Sequence, residues 1–359
     1  MWRDNKLSPP LMCILLLGTL PFEPAIGAVT IETVPVGNPG NKGELCGESL
    51  GGIGADATVG AVAHEFRIGK YEVTNSQYVE FLNAVDPTGK NALGLYDELM
   101  STNRNGGIDL EADSVDGAKY VAKSDCGNKP VVYVDPFDAF RFANWLHNGQ
   151  GDGDTESGAY ELRGGTPTPR NALSIKRNPN AKWFLPSEHE WYKAAYHKND
   201  GVTGNYWDYP TSTDEVPYSD QPPGRDAPKP SNAANFFKDD SKANNYDDGV
   251  AVTALPNFKT QVNMLTNVGA YTKSVSPYGT FDQGGNVAEW TETVLHLKVA
   301  DDGTRTGRWA ARGGNWTHNA TCMSAAYRGC GNPPGRGPGD RGFRLGCVKT
   351  LKAGDVQKD

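Results

Sequence analysis

Residues 279–290 read GTFDQGGNVAEW, and residues 312–316 read RGGNW. In both stretches a glycine pair precedes an asparagine and a tryptophan follows, so the backbone can turn sharply beneath a large side chain. Either stretch alone is a weak signal, because glycine pairs mark many tight turns. The fold is indicated by the order in which these stretches and the segments on either side follow one another along the chain.

Three helices are predicted upstream of these stretches from their capping residues. A Ser or Thr followed three residues later by Gln or Glu forms a capping box, and an Asp before a Pro places the proline at the first helical position. Each signal stands before apolar residues at helical spacing. The capping residues are Thr74 with Gln77, Asp135 before Pro136, and Ser187 with Glu190.

Short strands and long loops are predicted around the helices. Phe66 and Ile68 alternate with their neighbours as in a strand. DRGFRLGCV at residues 340–348 predicts a closing strand. The chain of 359 residues contains 43 Gly and 24 Pro, an excess that favours short elements, and the second half is predicted to be mostly loops and short strands.

The net charge of −8, with both signs interspersed, gives no basic stripe, so nucleic acid is not an expected partner. Residues 1–27 predict a secretory signal peptide, because a start with Arg3 and Lys6 leads into the apolar run LMCILLLGTLPF and then small residues. An uncleaved anchor is the alternative. No later apolar run has the length of a membrane span. We therefore expect a mature chain that is secreted, or located in the periplasm or cell envelope.

The series of motifs, taken in order, resembles the sulfatase-modifying-factor family, which comprises the formylglycine-generating enzymes and their relatives. The resemblance covers residues 60–348 and rests on KYEVTNSQYVEF, PVVYVDPFDAFRFANWL, WFLPSEHEWYKAAY, GTFDQGGNVAEW, RGGNW and GFRL. It implies one irregular, loop-rich α+β domain similar to an elaborated C-type lectin fold. Residues 28–59 are then an N-terminal extension, and residues 349–359 are a charged tail that is expected to be disordered.

The resemblance implies a copper-dependent oxidase loop, from which this chain departs. The family's enzymes oxidise a sulfatase cysteine to formylglycine with oxygen and a copper ion, held by two cysteines in a pattern resembling R-G-G-S-[YF]-x-C-x-x-x-x-C. Here the loop reads RGGNWTHNATCM, so His318 occupies the first cysteine position and Met323 the second. A shift of one residue would place Cys322 at the second position. Asn315 and Trp316 replace the serine and the aromatic residue of the pattern.

Copper is therefore not an expected cofactor. Cu(I) is a soft ion that favours thiolate ligands, and this loop offers at most one thiol. The first hypothesis is a binding or accessory module that has lost the oxidase site. The alternative is an oxidase with a modified centre formed by Asn315, His318 and Cys322.

Calcium is the metal that the resemblance favours. Relatives hold structural calcium through the Asn and Glu of a GN-x-x-E-W motif and through an Asn and Asp pair upstream. The corresponding residues here are Asn286 and Glu289 in GNVAEW, with Asn235 in NAANF and Asp247 in NNYDDG. Oxygen ligands of this kind suit Ca²⁺. The alternative is that Asn286 and Glu289 only shape a turn.

A surface cleft is expected beside the RGG loop, where Trp316, Tyr327 and Arg328 could contact an extended peptide or a glycan. Arg344 in GFRL is expected to fix a neighbouring carboxylate or backbone group. After removal of the signal peptide five cysteines remain, and the sequence leaves their pairing open. These cysteines are Cys46, Cys126, Cys322, Cys330 and Cys347.

Overall fold

A computed structural model of the protein describes residues 28–52, 54–259, 261–329 and 339–349. The predicted signal peptide lies outside these ranges, as do Cys330 and residues 350–359 of the predicted tail. Within the described ranges, no helix has both the length and the apolar character that a membrane crossing requires.

The described chain forms four α-helices and fifteen mostly short strands joined by long loops. The helices are α1 (Asn75–Val85), α2 (Leu99–Thr102), α3 (Pro136–His147) and α4 (Glu188–Tyr196). The strands are β1 (Thr33–Val36), β2 (Glu44–Cys46), β3 (Ala57–Val59), β4 (Phe66–Gly69), β5 (Ile108–Leu110), β6 (Tyr120–Ala122), β7 (Trp183–Phe184), β8 (Tyr218–Ser219), β9 (Ala233–Ala234), β10 (Phe237–Asp239), β11 (Asp248–Val250), β12 (Ala288–Val299), β13 (Arg305–Arg312), β14 (Arg341–Gly342) and β15 (Gly346–Val348).

The three predicted helix starts are confirmed as α1, α3 and α4. Each begins with the predicted cap, and in each a complete capping box satisfies backbone N–H groups that the first turn leaves unpaired. In α3, Asp135 Oδ1 accepts from the backbone N–H groups of Phe137 at 2.7 Å and Asp138 at 3.0 Å. Asp138 Oδ2 accepts from the N–H of Asp135 at 2.8 Å. Local sequence signals therefore fixed these boundaries.

The main sheet has four antiparallel strands in the order β1-β4-β15-β7. Strand β1 comes from the segment that the sequence suggested as an N-terminal extension, and it pairs with β4 from Thr33 opposite Gly69 to Val36 opposite Phe66. Residues 33–36 are thus an edge strand of the same sheet that contains the chain's last strand.

A long hairpin, β12–β13, dominates the second sheet, whose order is β13-β12-β14. The second half consists mostly of loops and short strands, as expected, but this hairpin is an exception that the sequence did not indicate, because β12 has 12 residues and β13 has 8. The strand register shifts between Trp290 and Val294, and again between Leu295 and Lys298. Such bulges break the strict alternation of apolar and polar residues by which a long strand is recognised in a sequence.

The predicted closing strand over residues 340–348 is divided between the two sheets. Strand β14 pairs in parallel with β12, whereas β15 pairs antiparallel with β4 and β7. Between them the chain crosses from one sheet to the other at residues 343–345, and the side chain of Arg344 is fully buried at this crossing.

The main hydrophobic core lies between α1, α3 and the two sheets, and it is rich in aromatic residues. Phe81 of α1 meets Phe142 of α3 edge to face, with ring centroids 5.2 Å apart. Trp309 of β13 contacts Phe140 in the same way at 5.1 Å. Because residues 136–146 of α3 are buried on every side, this helix is the centre around which the other elements pack.

The cap of α3 predicts a pH dependence of stability. Burial raises the pKa of Asp135 to about 6, and burial together with the charge of Asp135 raises the pKa of Asp138 well above its ordinary value. The folded protein therefore binds these protons more tightly than the unfolded chain does. This contribution to stability is present at acid pH and is lost as the pH rises through about 6.

Asp138→Asn keeps an oxygen for the N–H of Asp135 and removes one buried charge. Relative to the wild type, we expect the free energy of unfolding of this variant to increase by on the order of 1 kcal/mol as the pH is raised from acid to neutral. Urea unfolding at several pH values measures this difference. Asp113→Asn, at an exposed position, is the control and should show no such trend. A difference for Asp138→Asn that does not change with pH would contradict the prediction.

Candidate functional site

A buried ion pair lies next to the RGG turn, because Glu289 pairs with Arg312 in the register of strands β12 and β13. Arg344 Nε donates to Glu289 Oε2 at 2.6 Å, and Arg344 Nη2 donates to Glu289 Oε1 at 2.7 Å. The same guanidinium donates to the carbonyl oxygens of Gly69 at 2.9 Å and Phe281 at 2.8 Å. Trp191 Nε1 adds a bond of 2.7 Å to Glu289. The expectation for Arg344 is confirmed, and the carboxylate that it fixes is that of Glu289.

Further carboxyl groups surround this pair. Burial is the main cause that raises the pKa of Asp282, to about 6, and that raises the pKa of Glu72 well above its ordinary value. Glu72 Oε1 accepts from Asn286 Nδ2 at 3.1 Å, while Oε2 is buried and has no partner within the described chain. A second unpaired charge at this buried position would be costly, which is why burial raises the pKa of Glu72.

The four predicted calcium ligands differ in whether they retain a free oxygen. Asn286 adopts φ 56° and its Oδ1 accepts from Asn235 Nδ2 at 3.1 Å and from the N–H of Thr266 at 3.1 Å. Asp247 accepts from the N–H of Ser219 at 2.7 Å, and it also pairs with a lysine. Glu289 is engaged by Arg344, as described above. Asn235 Oδ1 is buried and has no partner among the described residues.

The structure thus brings Asn235 and Asn286 together, but protein donors already bond to the side-chain oxygens of the other three predicted ligands, Asn286, Asp247 and Glu289. In the described ranges, no group of three or more His, Cys, Asp or Glu side chains converges as a metal site would require. The free oxygen of Asn235 fits a calcium ligand, whereas the carboxylate of Glu289 would have to leave its arginine. Calcium binding stays a prediction, and Asn235 is the residue on which its test rests.

The RGG turn packs directly on the GGN turn. Gly313 and Gly314 have φ of 95° and 67°, values that favour glycine. A Cβ atom on Gly313 would lie 2.6 Å from the carbonyl oxygen of Gln283. The N–H of Gly285 donates to Gly313 O at 2.9 Å, and the N–H of Trp316 donates to Asn286 O at 3.1 Å. The two glycine pairs noted in the sequence therefore permit a single close contact.

Asn315 shapes the loop that follows the turn. Its Nδ2 donates to Asp340 Oδ2 at 3.0 Å, and its Oδ1 accepts from the N–H and the hydroxyl of Thr317 at 3.0 Å and 2.8 Å. Because Asn315 is fully buried and its amide is engaged on both sides, it positions neighbouring residues.

The predicted cleft residues separate into two places. Trp316 borders a cavity of about 530 Å³. Arg328 instead donates to Glu188 Oε2 at 3.0 Å, on the same carboxylate that pairs with Arg312 at 3.0 Å. The carbonyl of Tyr327 accepts from Arg312. Tyr327 and Arg328 are not among the residues that line this cavity, and Arg328 instead shares Glu188 with buried Arg312.

The cavity beside Trp316, which we call the Trp316 cleft, has a wall that the sequence did not indicate. The guanidinium of Arg104 lies over the Trp316 ring at 5.5 Å, and the Phe258 ring meets the same indole edge to face at 5.6 Å. Tyr133 lines the cleft with φ 63°, an unusual value for a bulky residue. The cleft is lined by Thr102, Asn103, Arg104, Asn105, Tyr133, Gln261, Trp316, Thr317, Gly339 and Asp340.

Four buried polar atoms beside this cleft have no hydrogen-bond partner among the described residues. They are Trp316 Nε1, His318 Nδ1, Asp340 Oδ1 and Arg341 Nη1. An unpaired buried polar group costs free energy, and such groups are rare in folded proteins. They are concentrated on two adjoining segments, where a bound molecule could supply the missing partners once these side chains turn toward the cleft.

The oxidase loop does not assemble a pair of thiolates. Burial raises the pKa of the Cys322 thiol and lowers the pKa of His318, so both side chains are neutral near pH 7. Met323 is fully buried in an apolar cluster with Phe236. Tyr327 is a neighbour of Cys322, whereas Asp340 and Arg341 are the charged groups near His318. The described residues at this loop therefore do not fit a two-thiolate copper site.

The described cysteines are Cys46, Cys126, Cys322 and Cys347, and each has a free thiol. Cys46 Sγ accepts from Arg312 Nη2 at 3.4 Å, and Cys347 is buried in β15. Neither is bonded to Cys322.

Comparisons with known proteins agree with the sequence motifs. The family model of the sulfatase-modifying factor enzyme 1-like domain matches residues 34–350. A search of curated proteins finds no match. The crystal structure of CarF is 20% identical with a TM-score of 0.50, and the alignment covers 89% of this chain and 99% of CarF. At this identity the likeness supports the fold alone.

Two further solved structures are similar over most of their length. Treponema denticola variable protein 1 is 19% identical with a TM-score of 0.49, covering 90% of this chain and 97% of that one. PvdO from Pseudomonas aeruginosa is 16% identical with a TM-score of 0.41, covering 89% and 93%. The family and the loop-rich α+β class expected from the sequence are confirmed.

Calcium is expected to raise the melting temperature through Asn235. A ligand that binds only the folded state stabilises it by roughly 2.7 kcal/mol at a hundredfold excess over its Kd. Melting curves in calcium and in chelator should then differ by several degrees, and Asn235→Ala should abolish the difference. Asn245→Ala, in an exposed turn, is the control. Identical curves for the wild type would contradict the site.

Proposed function

This chain belongs to the sulfatase-modifying factor family, and we propose that it is a binding member whose Trp316 cleft recognises an extended peptide. The observation that carries the proposal is the set of four unpartnered polar atoms beside the cleft. Strain at Tyr133 supports it, since residues held at unfavourable φ concentrate at binding sites. The protein would act as an accessory or recognition module.

The chemistry of the unpartnered atoms favours a peptide. Trp316 Nε1 and Arg341 Nη1 are donors, whereas Asp340 Oδ1 is an acceptor. An extended peptide offers one N–H donor and one C=O acceptor per residue, so it can satisfy both kinds. A sugar ring would need an open indole face, but Trp316 is 6% exposed and Arg104 lies over its ring. A glycan is thus the less favoured ligand.

The donor set argues for binding without cysteine oxidation. Cu(I) strongly favours soft thiolate ligands, and the loop offers one thiol whose pKa is raised by burial. His318 is a neutral imidazole near pH 7, and the Met323 thioether lies in an apolar cluster. The alternative function, an oxidase with a modified centre at His318 and Cys322, would need a second soft anion in this loop.

Export is part of the same proposal. The charged start, the apolar run and the small residues Ala25 and Gly27 support cleavage by a signal peptidase. We expect the mature protein to begin near Ala28. Mass spectrometry of the exported chain measures its first residue, and a mature chain that still begins at Met1 would contradict this part of the proposal.

Peptide binding is tested by selecting a library of random linear peptides on the mature protein and measuring the enriched peptides by calorimetry. We expect Asp340→Asn and Arg104→Gln each to weaken binding about tenfold, because each removes a charged hydrogen-bonding group from the cleft. Arg225→Gln, an exposed arginine outside the cleft, is the matched control.

Enriched peptides whose affinity is unchanged in both cleft variants would overturn the proposed site. A glycan array run in parallel distinguishes the ligand class. Glycan binding that depends on Asp340, with no peptide enrichment, would overturn the peptide as the ligand.

The absence of oxidase activity is a separate prediction. Reduced protein is incubated with Cu(I), oxygen and a peptide that carries a sulfatase-type cysteine motif, and the peptide mass is followed. We expect no aldehyde product, because the loop lacks a second thiolate. Turnover that disappears in Cys322→Ser would establish the oxidase alternative instead.

A further inference from the structure

A second cavity, of about 860 Å³, lies between the loop at residues 163–174 and the tip of the β12–β13 hairpin. Three arginines line it: Arg163 and Arg170 from the loop, and Arg305 from the first position of β13. The remaining lining residues are polar or small, apart from one leucine. They are Gly164, Thr168, Asn171, Ala172, Leu173, Ser174, Gly303 and Thr304.

These three guanidinium groups have no carboxylate partner among the residues that the structure describes. By contrast, five arginines within or near the core are paired with acids. The paired ones are Arg141 with Glu156, Arg177 with Glu190, Arg312 and Arg328 with Glu188, and Arg344 with Glu289. The cavity therefore concentrates positive charge that the protein itself does not neutralise.

The loop that carries Arg163 and Arg170 is held in shape by hydrogen bonds. The N–H of Arg163 donates to Asn171 Oδ1 at 2.9 Å, and the N–H of Arg170 donates to Gly164 O at 2.8 Å. Buried Arg141 Nη1 donates to Pro167 O at 2.8 Å and so anchors the loop to α3. Backbone positions fixed in advance reduce the entropy lost when a ligand is bound.

The hairpin side of the cavity is also ordered by a tight turn. The N–H of Ala300 donates to Thr304 O at 2.8 Å, which closes the tip. On this side, Asp302 Oδ1 accepts from the N–H of Thr304 at 2.8 Å. This carboxylate is thus turned to its own backbone, and Arg305 remains available to the cavity.

We propose that this cavity binds a short ligand carrying two or more oxyanion groups of the sulfate-ester or phosphate type. Guanidinium groups recognise such tetrahedral oxyanions through paired N–H donors. The volume is that of a site for a small molecule. The net charge of −8 opposes a long polyanion, which would extend beyond the arginines onto an acidic surface. This site is separate from the Trp316 cleft and does not depend on the function proposed for it.

Calorimetry of the mature protein at low salt tests the proposal with two compact probes, sucrose octasulfate and inorganic pyrophosphate. We expect saturable binding of at least one, which identifies the source of the oxyanion. Binding should weaken as sodium chloride is added. Arg163→Gln, Arg170→Gln and Arg305→Gln should each reduce affinity about tenfold, because each removes a charge-assisted hydrogen bond.

Arg308→Gln is the matched control, because Arg308 is an exposed arginine on the same strand that does not line the cavity. It should leave the affinity within about twofold of wild type. Failure of both probes to bind, or equal affinity in the triple arginine variant, would overturn the proposal. Binding of a long heparin chain with no binding of either compact probe would also overturn it. Because all three arginines are exposed, melting curves should confirm that the variants fold.

Discussion

The buried pair of Arg344 and Glu289 is the interaction on which the rest of this structure depends. Both side chains are fully buried, so the free energy of removing two charges from water must be offset by the bonds that they make. A bidentate contact, two backbone carbonyls and the Trp191 indole supply those bonds. They join the crossing between the two sheets to β12, to the end of β4 and to α4. Removing either partner would leave a buried charge unpaired, which costs about 3–5 kcal/mol.

The contacts that shape the RGG turn do not involve the residues that the family pattern assigns to copper. Asn286 ends the GGN turn and bonds to Asn235 and Thr266, and the RGG turn packs on the GGN turn through backbone hydrogen bonds and glycine contacts. None of these contacts involves a thiol. Substitution at positions 318 and 323 would therefore change the ligands offered to a metal. It would leave the ion pair of Arg344 and Glu289 and the Trp316 cleft in place.

Much of the fold could be predicted from the sequence, because its signals are local or occur in a recognisable order. The caps at Thr74, Asp135 and Ser187 depend on residues within one helical turn, and all three are confirmed. The long hairpin was missed because bulges interrupt its alternation. The site was predicted less well, since its contacts are distant in sequence. Arg104 comes from a stretch that carries none of the family motifs, and Arg328 is held by Glu188.

We propose that this member of the family uses the loop after the RGG turn for binding and not for copper chemistry. The most direct measurement is a competition for Cu(I) between the reduced mature protein and a chelator of known affinity. We predict that the chelator retains the copper, both for the wild type and for Cys322→Ser. A one-to-one copper complex of the wild type that resists the chelator and is lost in Cys322→Ser would contradict it.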